Sequence, residues 1–114
     1  MWYSSFMRLT FIEVSQFTLT AEDVLSDDEL FAVEDELLEN PEAGDRIAGT
    51  GGVRKIRAAI GGRGKRGGAR VLYYYVSSRA VVYFILVYAK NQSSSLSTEG
   101  KKVMRKYTAM FDRE

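Results

Sequence analysis

Residues 61 to 68 read GGRGKRGG, five glycines and three cations in eight positions. Glycine gives up the most backbone freedom on ordering, and like charges at this density repel, so no helix or strand can run through the segment. It is a loop, and that fixes how its flanks are read. Val53 to Ile60 alternates, with Arg54, Ile56, Ala58 and Ile60 on one face and Lys55 and Arg57 on the other, the period of a strand. Ala69 to Val76 and Ala80 to Ala89 are dense in β-branched and aromatic residues and give two more strands. Ser77, Ser78 and Arg79 between them make a hairpin turn.

The other half of the chain is organised differently. Phe6 to Val14 predicts a first strand with Leu9, Phe11 and Glu13 on a shared face. Residues 1 to 6 stand outside that pattern as an N-terminal extension, and Met7 is the expected initiator. Thr20 with Asp23 and Ser26 with Glu29 both fit the capping pattern of a hydroxyl followed three residues later by an acid, which predicts two consecutive helices. In the second, Leu30, Val33, Leu37 and Leu38 form one apolar stripe, the opposite face is acidic, and Pro41 after Asn40 ends it. Glu42 to Gly52 reads as a turn-rich connector and Gln92 to Ser95 as a serine-rich turn. Thr98 to Arg113 places Val103, Met104, Tyr107, Met110 and Phe111 at helical spacing, a closing helix for the sheet. Strand, two helices, three strands and a helix, without repeat or linker, make one α+β domain over residues 1–114.

Charge follows the same division. Residues 1 to 50 carry 12 acidic and 2 basic side chains, net −10, and residues 51 to 114 carry 14 basic and 3 acidic, net +11. Such asymmetry points to nucleic acid or to a matching charged surface. Seven cations and no anion fall between Arg54 and Arg70, a density that favours an anion-binding surface over a merely solvated face. The acidic helices are open to two readings, a partner-binding face or a solvated one.

The residue types narrow the chemistry. Without cysteine there is neither a disulfide scaffold nor thiolate catalysis, which suits a reducing cytoplasm. Without histidine the commonest general base and metal ligand are both missing, and the acids show no calcium-loop spacing, so no metal site is expected. The most apolar run, Ala80 to Ala89, is about half of the roughly 20 residues that span a bilayer, and a soluble protein is expected. GTGG at 49 to 52 and GRGKRGG at 62 to 68 have the composition of phosphate-cradling loops but match neither the Walker pattern nor GxGxxG. What remains is a set of cations, Lys55, Arg57, Arg63, Lys65, Arg66, Arg70 and Lys90, with tyrosines 73, 74, 75, 83 and 88 on neighbouring strands. Cations bind phosphates and tyrosine faces stack on unpaired bases, a combination suited to single-stranded RNA. Most of these tyrosines are expected in the core; Tyr88, on the face of Lys90 by alternation, is the exception.

The central segment GTGGVRKIRAAIGGRGKRGGARVLYYY, the later YAKN and the upstream LSDDELFAVEDELLENPEAGD together resemble HigB-type members of the RelE/ParE toxin superfamily, from about Phe11 to the last helix. The resemblance implies a compact fold with a twisted, mostly antiparallel sheet, two N-terminal helices and a C-terminal helix. It implies a cytoplasmic toxin that cleaves mRNA on the ribosome without metal or cofactor and is silenced by a cognate antitoxin protein. It also implies roles: Lys55 and Arg57 as the basic pair that helps draw the proton from the ribose 2′-hydroxyl, with Arg70 and Lys90 stabilising charge on the phosphorane-like transition state. Tyr88 stands in for a tyrosine that some relatives carry after the fourth strand, where this chain has Ser94, Ser95, Leu96 and Ser97. Arg54, Arg63, Lys65 and Arg66 are expected to hold RNA. Other relatives use histidines, absent here, and the superfamily includes gyrase inhibitors without RNase activity, so a non-catalytic gyrase inhibitor or RNA-binding protein is the competing expectation.

Overall fold

The computed structural model describes residues 8–61, 68–90 and 96–114. The expected extension and most of both glycine- and serine-rich connectors lie outside them. The elements run β1 (Thr10–Glu13), α1 (Ser15–Ala21), α2 (Asp27–Glu39), β2 (Asp45–Arg46), β3 (Arg54–Ala58), β4 (Ala69–Val76), β5 (Val81–Ala89) and α3 (Thr98–Asp112). The strands form one five-stranded sheet in the order β1-β5-β4-β3-β2. β1 runs parallel to β5, and the remaining pairs are antiparallel. The α+β architecture with a mostly antiparallel sheet is as the sequence implied.

Strand alternation divides the core into two layers. On one face Phe17, Val33 and Leu37 from α1 and α2 pack on Ile56, Ala58, Val71, Tyr73, Val82 and Phe84. Phe84 stacks on Phe11 and Phe17 with ring centroids 5.5 and 5.0 Å away, contacts worth about 0.5–1.5 kcal/mol each beyond their buried area. On the other face Met104 and Phe111 of α3 cover Leu72, Val76, Tyr83 and Ile85. The sheet therefore separates the acidic helices from the basic one.

The Ser26–Glu29 capping box is present in full: Ser26 Oγ accepts from the Glu29 amide at 3.1 Å, and Glu29 Oε1 accepts from the Ser26 amide at 2.8 Å. The Thr20–Asp23 pair is not a cap. α1 has already started at Ser15, and the Thr20 hydroxyl donates back to the carbonyls of Gln16 and Phe17 near the end of that helix. Burying Phe17 against Phe84 sets where the helix lies, and local capping chemistry yields to it. The connector 42–52 is also more ordered than its composition implies, since Asp45 and Arg46 pair with Lys55 and Arg54 as the sheet's short outer strand. In α3 the buried stripe is Met104, Thr108 and Phe111, while Val103 and Met110, expected inside, are exposed. Thr108 is claimed by the 47–53 turn: Gly51 takes a positive φ of 80°, and a side chain there would collide with the Thr108 hydroxyl.

Candidate active site

Three of the expected site residues meet in one row across the sheet. Arg57 of β3 lies directly opposite Arg70 of β4, and Arg70 directly opposite Tyr88 of β5. Directly opposed residues on antiparallel strands hold their Cβ atoms about 5 Å apart on the same face. Lys55 is two residues from Arg57, on the same face and one row further along, opposite Leu72. Ile56 and Ala58, of the other parity, are buried beneath α1 and α2, so both cations of β3 point to the α3 side. Lys90 follows the end of β5; it is exposed, and its amide donates to the Gly68 carbonyl at 3.0 Å, closing the sheet beside the row.

A β-bulge brings Tyr88 into this row. The β4–β5 register passes from Leu72↔Leu86 to Tyr73↔Phe84, which leaves Ile85 as the extra residue. Along β5 before the bulge Val82 and Phe84 face α1 and α2 while Tyr83 and Ile85 face α3; beyond it Val87 faces α1 and α2 and Leu86 and Tyr88 face α3. Uninterrupted alternation from Val82 and Phe84 would have buried Tyr88 on the wrong side. The bulge reverses the parity and turns its ring toward Arg70.

Burial raises the Tyr88 phenol above its usual range, and the Arg70 charge acts against that rise. The hydroxyl is a neutral donor at ordinary pH, next to a guanidinium. Arg70 is half-buried and donates from Nη1 to the Ala69 carbonyl at 3.2 Å. Arg57 is exposed. Beside them Lys55, Ile56 and Arg57 line a small cleft with Glu36, Ala43, Gly44 and Asp45, and Asp45 sits opposite Lys55 in the register. These acids come from segments read as helix face and connector, and only the β2 pairing places Asp45 there.

Arg54 requires a correction. It lies on the other side of β3, where Nη1 donates to the carbonyls of Gly44 (2.8 Å) and Glu42 (3.2 Å) and Nη2 meets the Glu42 carboxylate at 3.5 Å. It braces the 42–44 turn and does not join the cationic row, as its parity with Ile56 already implied. Arg63, Lys65 and Arg66 lie outside the described residues. The GTGG turn is tied to its own neighbours and to α3: Thr50 Oγ1 donates to Ile47 O at 2.7 Å and accepts from Val53 N at 3.1 Å, and the Gly49 and Thr50 carbonyls accept from Arg105 and Thr108. Of the other tyrosines, Tyr73 and Tyr83 are buried, Tyr75 packs at the edge of the α1/α2 layer, and Tyr74 bonds Asp112 at 2.7 Å. Among the described residues no cluster of three or more acidic residues is arranged to hold a metal ion, and no helix is long and apolar enough to cross a membrane.

Solved structures share this fold. A double arginine-to-alanine mutant of E. coli RelE in the free state aligns with TM-score 0.59 at 18% identity, over 87% of this chain and 98% of that one. The intact E. coli RelBE toxin–antitoxin complex gives 0.54 at 21% identity, over 70% and 94%. The archaeal RelE–RelB complex from Pyrococcus horikoshii OT3 gives 0.52 at 15% identity, over 75% and 98%. The family model described as the RelE toxin of the RelE/RelB toxin–antitoxin system matches residues 13–113, and the chain belongs to that family.

Proposed function

We propose that the protein is a cytoplasmic, HigB-type ribosome-dependent mRNA endonuclease, neutralised by a cognate antitoxin. The observation that carries this reading is the Arg57–Arg70–Tyr88 row on an open sheet face in a chain of the RelE family. Two guanidiniums held side by side suit the charge that builds on a phosphate as a 2′-hydroxyl attacks it, and such preorganised charge is usually the largest catalytic contribution. Arg70 and Arg57 grip the scissile phosphate. Lys55 lies on the side of the attacking ribose, where proton removal is assigned to it or to Arg57, and Lys90 adds charge at the strand end. Tyr88 offers a ring on which an unpaired base stacks and a neutral hydroxyl that donates to phosphate. The attack forms the 2′-O–P bond and breaks the bond to the 5′-oxygen, which takes up the proton removed from the 2′-hydroxyl, leaving a cyclic phosphate and a free 5′-hydroxyl. An antitoxin partner is supported by the two matched complexes that contain RelB and by a cationic face that an acidic segment would cover.

Primer extension on a reporter transcript, with purified protein and with or without ribosomes, tests the reading. New 5′ ends within codons, only when ribosomes translate, are expected. Replacing Arg70 by Ala should remove about 2–4 kcal/mol of transition-state stabilisation, roughly thirtyfold to a thousandfold in rate, with the fold intact. Cleavage that survives Arg57→Ala combined with Arg70→Ala would overturn the site. Growth arrest without any cleavage would move the assignment to gyrase inhibition.

A further inference from the structure

The two outer helical surfaces carry opposite charge, and each has exposed apolar side chains at its centre. On α2, seven carboxylates and no cation occupy 13 residues. Phe31 is 56% exposed in their midst, and its helical neighbours at three and four residues are Asp27, Asp28, Glu34 and Asp35. None of these four has an ion-pair partner among the described residues. Glu34 titrates above its usual range, mainly from desolvation and then from the charges of Glu13 and Asp35, so the acids there crowd one another. Leu19 on neighbouring α1 is 64% exposed.

On the surface of α3 cations outnumber acids, and Glu99, four residues before Val103, is already paired with Lys102 at 3.6 Å. Val103 and Met110, 47% and 42% exposed, lie two turns apart with Lys106 between them at helical contact spacing from both, and Arg113 follows Met110 by three. The side chains of Lys106 and Arg113 have no acidic partner among the described residues. The sheet stands between α2 and α3, so these faces cannot neutralise each other within one molecule. The whole chain nevertheless sums to a net charge of only +1, and a near-neutral protein has little overall repulsion to keep its copies apart.

We infer that the occupant of each face is the other face of a second copy of this chain: the acidic α2 surface around Phe31 docks on the basic α3 surface around Val103 and Met110. Apolar side chains meet at the centre and unpaired charges of opposite sign close around them, the anatomy of a specific contact. The two surfaces differ and lie on opposite sides of the molecule, so the contact is heterologous and repeats head to tail into an open stack. Because the attraction is between charges at the surface, salt dissolves it.

Sedimentation velocity on the purified full chain, freed of any partner, tests this. At about 0.02 M salt the mean mass should grow with protein concentration past that of a dimer, and at about 0.5 M, where the Debye length falls below about 5 Å, it should return to the monomer. Two variants define the geometry, Phe31→Ser with Asp35→Asn on the acidic face and Lys106→Glu with Met110→Glu on the basic face, so that the two altered faces do not attract each other. Each alone should be monomeric at low salt. Mixed in equal amounts they should form a dimer and nothing larger, because each supplies the intact face the other lacks. If either variant loses its helical circular dichroism, Phe31→Ser and Met110→Ser take their places in the same mixing experiment. A wild-type chain that stays monomeric at low salt overturns the proposal and leaves the faces to a different polypeptide. Association that either variant keeps on its own, or a mixture that stays monomeric, overturns it as well.

Discussion

Replacing Tyr73 by Phe removes one oxygen that bridges two buried backbone groups, and the loss should be large for a single atom. The Tyr73 side chain is fully buried; its hydroxyl donates to the Pro41 carbonyl at 2.8 Å and accepts from the Gly44 amide at 3.0 Å. Burial raises its pKa, with the Gly44 amide and Arg54 opposing the shift, so the group is a neutral phenol bridging two backbone groups. Pro41 and Gly44 are themselves buried, and the turn is packed closely on the ring: a β-carbon on Gly44 would lie 2.9 Å from both the Lys55 carbonyl and the Tyr73 ring. Each stranded backbone group costs about 1–3 kcal/mol, so after some relief from phenylalanine's lower desolvation the expected loss is about 2–4 kcal/mol. In urea, with a slope of about 1–3 kcal/mol per molar for a domain of this size, the midpoint should fall by about 1–2 M. Hydrogen exchange should accelerate at Gly44 and Asp45, whose turn holds the cleft beside Lys55 and Arg57 in shape. Tyr74→Phe is the control, because its bond to Asp112 is exposed and should cost no more than about 1 kcal/mol. A Tyr73→Phe midpoint no lower than that of Tyr74→Phe would refute the reasoning.

Three further predictions use the same kind of accounting. Burial, and then the bond to Asp112, push the Tyr74 pKa from 10.0 up to about 12; the folded state keeps this proton where the unfolded chain has lost it, so the stabilisation is complete below pH 10 and disappears as pH climbs through about 12. Ultraviolet absorbance should show a late phenolate step that Tyr74→Phe reduces by one tyrosine. Arg79 clamps the end of α3, donating to the carbonyls of Glu114 (2.9 Å) and Phe111 (3.0 Å) and to the Tyr83 hydroxyl (2.9 Å). Arg79→Ala should lower stability by about 1–2 kcal/mol and speed exchange in the last turn of α3, whereas unchanged exchange would mean that stacking of Tyr83 on Phe111 suffices. Arg57→Gln removes a like charge directly opposite Arg70 and should raise stability by about 0.2–1 kcal/mol in a urea titration while cleavage falls; a loss of stability would show that the two guanidiniums do not repel.

The strongly local signals were readable in the sequence. The Ser26–Glu29 box, the alternation that sends Lys55 and Arg57 to one side, the hairpin around Ser77 and the closing helix all depend on neighbours a few residues away, and each is found in the structure. Features set by distant packing were not. β2 is two residues long and exists because Lys55 and Arg54 supply it with a partner, which no periodicity in 42–52 announces. Thr20 has the composition of a cap, but the burial of Phe17 had already placed it late in α1. The apolar pattern of α3 is wider than the sheet it covers, so Val103 and Met110 remain outside. At the site, the Arg57–Arg70 juxtaposition follows from the register of two strands, and the arrival of Tyr88 depends on a bulge that composition does not mark.

That bulge and the paired arginines break two ordinary rules of sheet construction, and they do so in the same place. A regular β5 would keep its alternation, and opposite charges or apolar pairs would be the stabilising choice across β3 and β4. The bulge also serves the core, since beyond it Val87 is buried in the α1/α2 layer and Leu86 and Tyr88 pack on the α3 layer; the paired arginines do not. Tyr73 pairs with Phe84 and Tyr75 with Val82 on the side of the bulge away from the row, and these residues fill the α1/α2 layer without help from Arg57, Arg70 or Tyr88. At the surface the same irregularity faces a phenol toward Arg70, which has the second cation, Arg57, directly opposite it. An anion lying on the row would relieve the repulsion between the two guanidiniums. A pair of like charges that brings the fold no benefit of its own, set beside a bulge that delivers a phenol, is what the proposed exchange of stability for binding and chemistry at this surface predicts.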